Sequence, residues 1–256
     1  MLKSTIRRLT RSPLFDLDRY SIEDFDMFLD PDYRHHHSIL SGHESGMRTY
    51  VREEINHDSL VFDIGANIGF YSLLAASAGA TVVACEPEPY AYRTLAANIG
   101  INGLPITARQ TAVYDSPGEM ELYRSHGENQ AIHSLAENSK FLKGESVTVP
   151  VVTLAALINE FGPPDLVKID VEGAEQKIIE GLSACDARPD LLLEVHTQHA
   201  GQYLDRLHEH GGSESDLFGH LSDTGYEVCG VDEISGEKVP IDLAASSIPK
   251  VWHASA

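Results

Sequence analysis

The chain has 256 residues, 42% of them hydrophobic, which is enough for one domain with a sizeable core. Its formal net charge is −20, from 39 acidic and 19 basic residues, and no basic patch lies beyond the N-terminus, so a nucleic-acid partner is not expected. No apolar run reaches the ~18 residues of a membrane span. Cys85, Cys185 and Cys229 lie scattered in or beside apolar runs, which excludes a disulfide framework or a cysteine zinc site and marks them as small core residues. An acidic surface of this kind also suits a salt-rich cytoplasm, so a halophilic source is one reading of the charge.

Residues 1–41 read as an N-terminal extension, and 42–256 as the functional domain. The start, MLKSTIRRLTRSPLF, is positive but has no apolar run behind it, so it is not a secretory signal and a cytoplasmic protein is expected. Leu2, Ile6 and Leu9 fall on one helical stripe beside Arg7, Arg8 and Arg11. That pattern predicts an N-terminal helix, docked or frayed, with peripheral membrane contact as the alternative. His35, His36 and His37 are adjacent and cannot share one face, so a solvated turn is expected there rather than a metal site. Gly42-His43-Glu44 precedes a helix over 47–55.

The stretch from Leu60 to Pro87, LVFDIGANIGFYSLLAASAGATVVACEP, reads as strand, glycine bend, helix, strand. A dinucleotide loop needs G-x-G-x-x-G. Counting from Gly65, the second and third glycine positions are Asn67 and Phe70, so that pattern fails twice. What stands instead, D-x-G-A-N-x-G, still opens room between a strand end and a helix N-terminus, where backbone N–H groups attract a carboxylate. Glu86, 21 residues past Gly65, ends the next strand, where an acid can accept from both hydroxyls of a ribose. A free ribose diol, an amino-acid carboxylate and no pyrophosphate together describe S-adenosylmethionine. The candidate cofactor residues are Asp63, Gly65, Ala66, Asn67, Gly69, Glu86 and Pro87, with Asp170 of a later strand. Glu44 could reach the cofactor's amino group or only cap its helix.

A helix over 89–98 and a third strand over 106–113 follow, placing Ala112 and Val113 beside the adenine. A polar strand over 119–123 leads into the segment 124–146, which has no strong periodicity and lies where a substrate lid would lie. A strand over 147–152 and a helix over 154–161 precede DLVKIDVE, residues 165–172. Central strands of parallel sheets are covered on both faces and read as apolar runs. Here Lys168, Asp170 and Glu172 alternate with the apolar residues, which is best explained if the strand end opens into a pocket. After a helix over 174–182, DLLLEVH repeats the arrangement with Glu194 and His196. If the two strands are neighbours, Asp170, Glu172, Glu194 and His196 converge at one rim. Helices near 201–210 and 214–224 and strands over 226–232 and 248–252 complete the chain.

With these residues in view, the chain resembles the FkbM-type family of S-adenosylmethionine-dependent methyltransferases. VFDIGANIGFYSL is similar to that family's cofactor loop, CEPEPYAYRTLAANI to its second strand and helix, VKIDVEGAEQKIIEGL to its distinguishing core motif, and LLLEVH to the next strand. The likeness spans roughly residues 42–200. It implies an α/β fold: a doubly wound Rossmann-like sheet of seven strands, mostly parallel with one antiparallel, with helices on both faces. It also implies methylation of hydroxyl oxygens, often on sugars or natural products. One departure is Thr153-Leu154-Ala155, where many members have Thr-Leu-Asp.

The expected reaction is in-line displacement at the sulfonium methyl by a small-molecule or glycan hydroxyl. His196 is the first candidate for proton acceptor, as a neutral imidazole available at pH 7, and Asp170 the second. Lys168 would order Asp170 or Glu172. No metal ligand is assigned. In a rival reading, Asp170, Glu172, Glu194 and His196 hold Mg²⁺ or Mn²⁺. Carboxyl methylation of an acidic sugar, a nicotinamide-dependent sugar oxidoreductase and a non-catalytic cofactor-binding protein are the remaining alternatives.

Overall fold

The computed structural model describes residues 6–11, 17–29, 39–40, 45–124, 133–134, 146–182, 185–196, 206–244 and 249–256. The chain opens with β1 (Ile6–Arg11), β2 (Asp18–Ile22) and β3 (Phe25–Leu29), an antiparallel three-stranded meander. The helix expected at the start is therefore a strand. Its Ile6/Leu9 spacing suits one helical face, but pairing with β2 from Ile6↔Ile22 to Arg11↔Asp18 satisfies the backbone instead. In β2 and β3 burial alternates, and Ile22, Met27 and Leu29 are sealed inside.

Helix α1 (Ser45–Glu54) leads into β4 (Leu60–Ile64), α2 (Phe70–Ser77), β5 (Thr81–Cys85), α3 (Pro89–Asn102) and β6 (Ile106–Arg109). Local signals delimit α3. The Glu88 carboxylate accepts from the Ala91 N–H at 2.7 Å, Pro89 sits at the first helical position, and Gly103, with φ +63°, ends the helix. The single strand predicted over 106–113 is two strands. After β6 the Thr111 hydroxyl donates to the Pro150 carbonyl at 2.9 Å, and β7 (Ala112–Tyr114) joins a second sheet. That sheet adds β8 (Gly118–Arg124), β9 (His133–Ser134) and β10 (Ser146–Thr153), in the order β7-β10-β8-β9. Most of the segment expected to form a lid lies outside the described residues.

The remaining elements are α4 (Leu154–Phe161), β11 (Leu166–Ile169), α5 (Glu175–Leu182), β12 (Asp190–Glu194), α6 (Arg206–Glu209), α7 (Glu214–Asp223), β13 (Glu227–Val231), β14 (Lys238–Val239) and β15 (Val251–Ser255). The large sheet runs β14-β13-β15-β12-β11-β4-β5-β6. Strands β12, β11, β4, β5 and β6 are mutually parallel, and β15 lies antiparallel between β12 and β13. This is the seven-stranded mixed sheet that the resemblance implies, with the two-residue β14 as an extra edge.

One core cluster fills each face. Phe62, Ile64, Val167, Ile169, Leu191, Leu193 and Trp252 pack under α4, α5 and α7. Val61, Val82, Leu166, Leu192 and Val251 pack under α1 and α2. Ile64, Ile169 and Leu193 are in register, so β4, β11 and β12 end level with one another. The N-terminal sheet is fastened to α3 by two asparagines. Asn98 accepts from the Phe28 N–H at 2.7 Å, and Asn102 accepts from the Asp26 N–H at 2.8 Å.

Candidate active site

The bend after β4 is drawn tight by the neighbouring strand. The N–H groups of Gly65 and Ala66 both bond the Cys85 carbonyl, at 2.9 and 3.0 Å, and Gly69 N–H closes back on Ala66 at 2.8 Å. Gly65 (φ +80°) is required twice over, because a Cβ there would also collide with the Asp170 carbonyl. Asn67 is left-handed too (φ +51°), and its N–H donates to the Glu86 carboxylate at 2.8 Å. The other Glu86 oxygen takes the Glu88 N–H at 2.8 Å. Glu86 is thus held before any ligand arrives, with one lone-pair position left on each oxygen. Burial pushes its pKa up to about 7, against the pull of those two N–H donors.

Asp63 is buried near the C-terminal end of the central strand β4. One oxygen accepts from the Ser72 hydroxyl at 2.5 Å. The other, Oδ1, is buried without a hydrogen-bond partner among the described residues and lies 4.0 Å from Lys168 Nζ. Burial holds the Asp63 pKa above its ordinary value, although Lys168 pulls it down. Lys168 is buried as well, with Nζ 3.3 Å from Asp170 and 4.8 Å above the Tyr71 ring. Burial alone would lower its pKa, but Asp170 and Asp63 more than compensate, and it stays a cation.

The rim converges as the strand spacing predicts. Asp170 leaves β11 with its N–H on the Ile64 carbonyl at 3.0 Å. His196 Nε2 lies 3.2 Å from Glu172, 3.6 Å from Glu194 and 3.7 Å from Asp170. Glu172 adopts φ +60°, which for a non-glycine residue costs roughly 1–2 kcal/mol. Lys250, from the approach to β15, pairs with Glu194.

A residue outside the sequence-derived set controls this group. Glu175 is fully buried, accepts from the Gly173 N–H at 3.0 Å and meets His196 Nδ1 at 2.7 Å. The signal was present: Glu175, Ile178, Ile179 and Leu182 form one buried helical stripe, and an acid on such a stripe needs a partner.

The surroundings of His196 bear on its expected role as proton acceptor. Burial alone would depress the imidazole, but Glu175, Glu194 and Asp170 outweigh it and lift the pKa to about 9. A pKa raised in this way favours the imidazolium at pH 7, which has no lone pair to accept a proton. For Asp170, burial raises the pKa, but Lys168, His196 and Lys250 hold it well below the usual carboxylate range, so it is ionised.

Ala66 is buried in the bend and Pro87 half-buried beside Glu86, while Ala112 and Val113 are buried in β7. Glu44 lies outside the described residues. Lining a small pocket behind the rim are Met47, Tyr71, Lys168, Leu192, Glu194 and Val251. No helix among the described residues is long and apolar enough to cross a membrane.

A mostly parallel sheet with a glycine bend at one strand end and an acid closing the next is an α/β fold of the methyltransferase type. Residues 63–227 match the family described as "Methyltransferase FkbM domain", and the chain belongs to that family. It is similar to the 31-O-demethyl-FK506 methyltransferase FkbM of Streptomyces tacrolimicus, 30% identical over 64% of this chain and 77% of that one. It is also similar to the hexuronic acid methyltransferase AglP of Haloferax volcanii, 25% identical over 61% of this chain and 64% of that one. Among solved structures, magnesium protoporphyrin IX methyltransferase (ChlM) from Synechocystis PCC 6803, crystallised with SAM, aligns with a TM-score of 0.47 at 16% identity, covering 86% of this chain and 83% of that one. A likeness at that level adds nothing to the family assignment.

Proposed function

We propose that the chain transfers a methyl group from S-adenosylmethionine to a hydroxyl oxygen of a sugar or natural product. The reading rests chiefly on one observation: the Glu86-anchored bend and the Asp170/His196 rim open at the same level of the sheet. Glu86 would take the ribose hydroxyls. Asp63 Oδ1, buried and without a hydrogen-bond partner among the described residues, suits an ammonium. The start of α2 suits a carboxylate. Ala112, Val113 and Pro87 would border the adenine. When bound, the cofactor supplies an electrophilic methyl on a sulfonium.

The chain's own groups supply positioning and proton management. An attacking hydroxyl needs a proton acceptor, and an ionised carboxylate remains once His196 is charged. Asp170 takes that role, with Lys168 and the His196 imidazolium fixing its two oxygens. Glu172 and Glu194 hold the ring, and Glu175 sets its orientation. The activities named for the FkbM and AglP relatives support a natural-product or sugar-acid acceptor. Membership of a methyltransferase family argues against the nicotinamide reading.

The test is Asp170→Asn on a panel of hydroxylated acceptors. Turnover should fall by ~10²-fold or more, with cofactor affinity within a few-fold of wild type. Undiminished turnover on those acceptors would remove Asp170 as the proton acceptor, and wild-type protein that methylates an acidic sugar's carboxylate but none of the hydroxylated acceptors would overturn the hydroxyl reading. A second reading has its own observation. Asp170, Glu194 and His196 each offer a ligand atom within 4.8 Å of the others, and Glu175 backs the ring as an outer carboxylate backs a ligating histidine. Mg²⁺ or Mn²⁺ there would acidify the acceptor hydroxyl. Activity that survives a strong chelator removes this reading.

A further inference from the structure

A second cluster lies away from the rim, on the sheet face that α1 covers. Glu54 ends α1, Asp190 begins β12, and β15 presents His253 opposite Leu192, two residues along from Asp190. One oxygen of each carboxylate and one imidazole nitrogen lie within 4.8 Å of one another. The three residues are far apart in sequence and are brought together only by the fold.

The histidine makes this more than an acidic cluster. His253 is 1% exposed, and neither of its ring nitrogens has a hydrogen-bond partner among the described residues. The Asp190 carboxylate is 3.7 Å from Nε2, beyond hydrogen-bond range. A buried imidazole with both nitrogens unsatisfied is unfavourable, and such groups in native proteins call for an ion or water. The Tyr50 ring stands edge-on to His253 at 5.6 Å, with its hydroxyl towards Glu54. Cys229 is the cross-strand neighbour of His253 on β13.

We propose that Glu54, Asp190 and His253 form a structural site for a divalent transition-metal ion of the Zn²⁺ type. One imidazole nitrogen with two carboxylates and a water suits tetrahedral zinc, whereas Mg²⁺ and Ca²⁺ take mainly oxygen ligands in larger number. The ion ties the last turn of α1 to β12 and β15. Lys238 is the competitor: its Nζ lies 3.3 Å from Glu54 and 5.7 Å from the centre of the Tyr50 ring, and the side chain is half exposed. It neutralises Glu54 when no metal is bound and swings out when one binds.

The experiment uses the full chain stripped of metal, titrated with zinc chloride and followed by bound zinc per chain and by thermal unfolding. Other histidines, His35–His37 among them, can also take zinc, so the site is read by difference. Glu54→Gln and Asp190→Asn should each weaken one zinc equivalent by at least ~10-fold and abolish the associated rise in Tm. Lys238→Met should tighten the same equivalent, and Asp170→Asn should leave it unchanged. Zinc binding that is the same in wild type and Glu54→Gln overturns the proposal, as does loss in Asp170→Asn of the same equivalent that Glu54→Gln weakens; a separate equivalent lost only in Asp170→Asn belongs to the rim cluster. His253→Gln adds a third ligand test, and Lys238→Met keeps the proposal exposed if that variant fails to fold.

Discussion

Glu86 is a carboxylate gripped by two N–H donors and still hard to ionise, because burial outweighs them. Ribose hydroxyls are donors that favour the anion, so ligand binding should draw off its proton. The expected outcome is measured with S-adenosylhomocysteine by calorimetry in buffers of different ionisation heat. Near pH 7 binding releases a proton, and affinity weakens as pH falls below about 7. Glu86→Gln removes both effects along with much of the affinity. The stability sign is opposite to that of an ion-paired acid. The folded protein keeps a proton that the unfolded chain loses at the ordinary value of 4.5, so this group's contribution declines as pH rises from there to about 7. His196 has a raised pKa on a base. Its contribution is full below 6.5 and is lost as pH rises through about 9. If the imidazolium is what orders Asp170, kcat falls above about pH 9, and Glu175→Gln moves that fall to lower pH. A wild-type rate that climbs through this range to a plateau would instead restore His196 as the base.

Two glycines, one in the bend after β4 and one inside α3, separate backbone need from mere tolerance. Gly65 is left-handed and pressed on the Asp170 carbonyl, so Gly65→Ala should lose at least ~1–2 kcal/mol and move the bend. Gly100 lies within α3 and a methyl there meets nothing within 4 Å, so Gly100→Ala should be neutral or stabilise by up to ~1 kcal/mol. Urea unfolding of both variants checks the pair. The same contrast explains what the sequence revealed. The β4–α2–β5 unit was legible because glycine punctuation and apolar period agree over the whole stretch. The break between β6 and β7 was not, because Gln110 and Thr111 carry no breaker signal and the strand turns away to meet β10 from a distant part of the chain. The β1 strand was misread for the same reason, since its partner decides its state. At the rim, Asp170, Glu172, Glu194 and His196 were readable from charged positions at apolar strand ends. The charge on His196 was not, because it depends on Glu175 across 21 residues of chain.

Across the whole molecule the excess of acid is the dominant long-range force. A net charge of −20 on 28.0 kDa repels itself over the full diameter at low salt, where the screening length is ~30 Å at 0.01 M. By 0.1 M that length is ~10 Å, and by 1 M ~3 Å, shorter than most distances between surface charges. Screening therefore predicts that Tm rises with NaCl and has gained most of its increase by a few tenths molar, at ~2–4 °C per kcal/mol for a chain of this size. The buried pairs around His196 are screened far less, so the pH limb near 9 should stay in place while Tm moves. A protein adapted to salt behaves differently beyond that point, because there the gain comes from ions and water held by the carboxylates and not from weakened repulsion. Melting curves in KCl from 0.01 to 3 M distinguish the two. A continued climb above 1 M supports a high-salt source, and a flat curve above about 0.3 M leaves the acidity as a matter of solubility and charge repulsion alone. Sulfate is the wrong salt for this test, since its exclusion from protein surfaces stabilises folded chains of any charge.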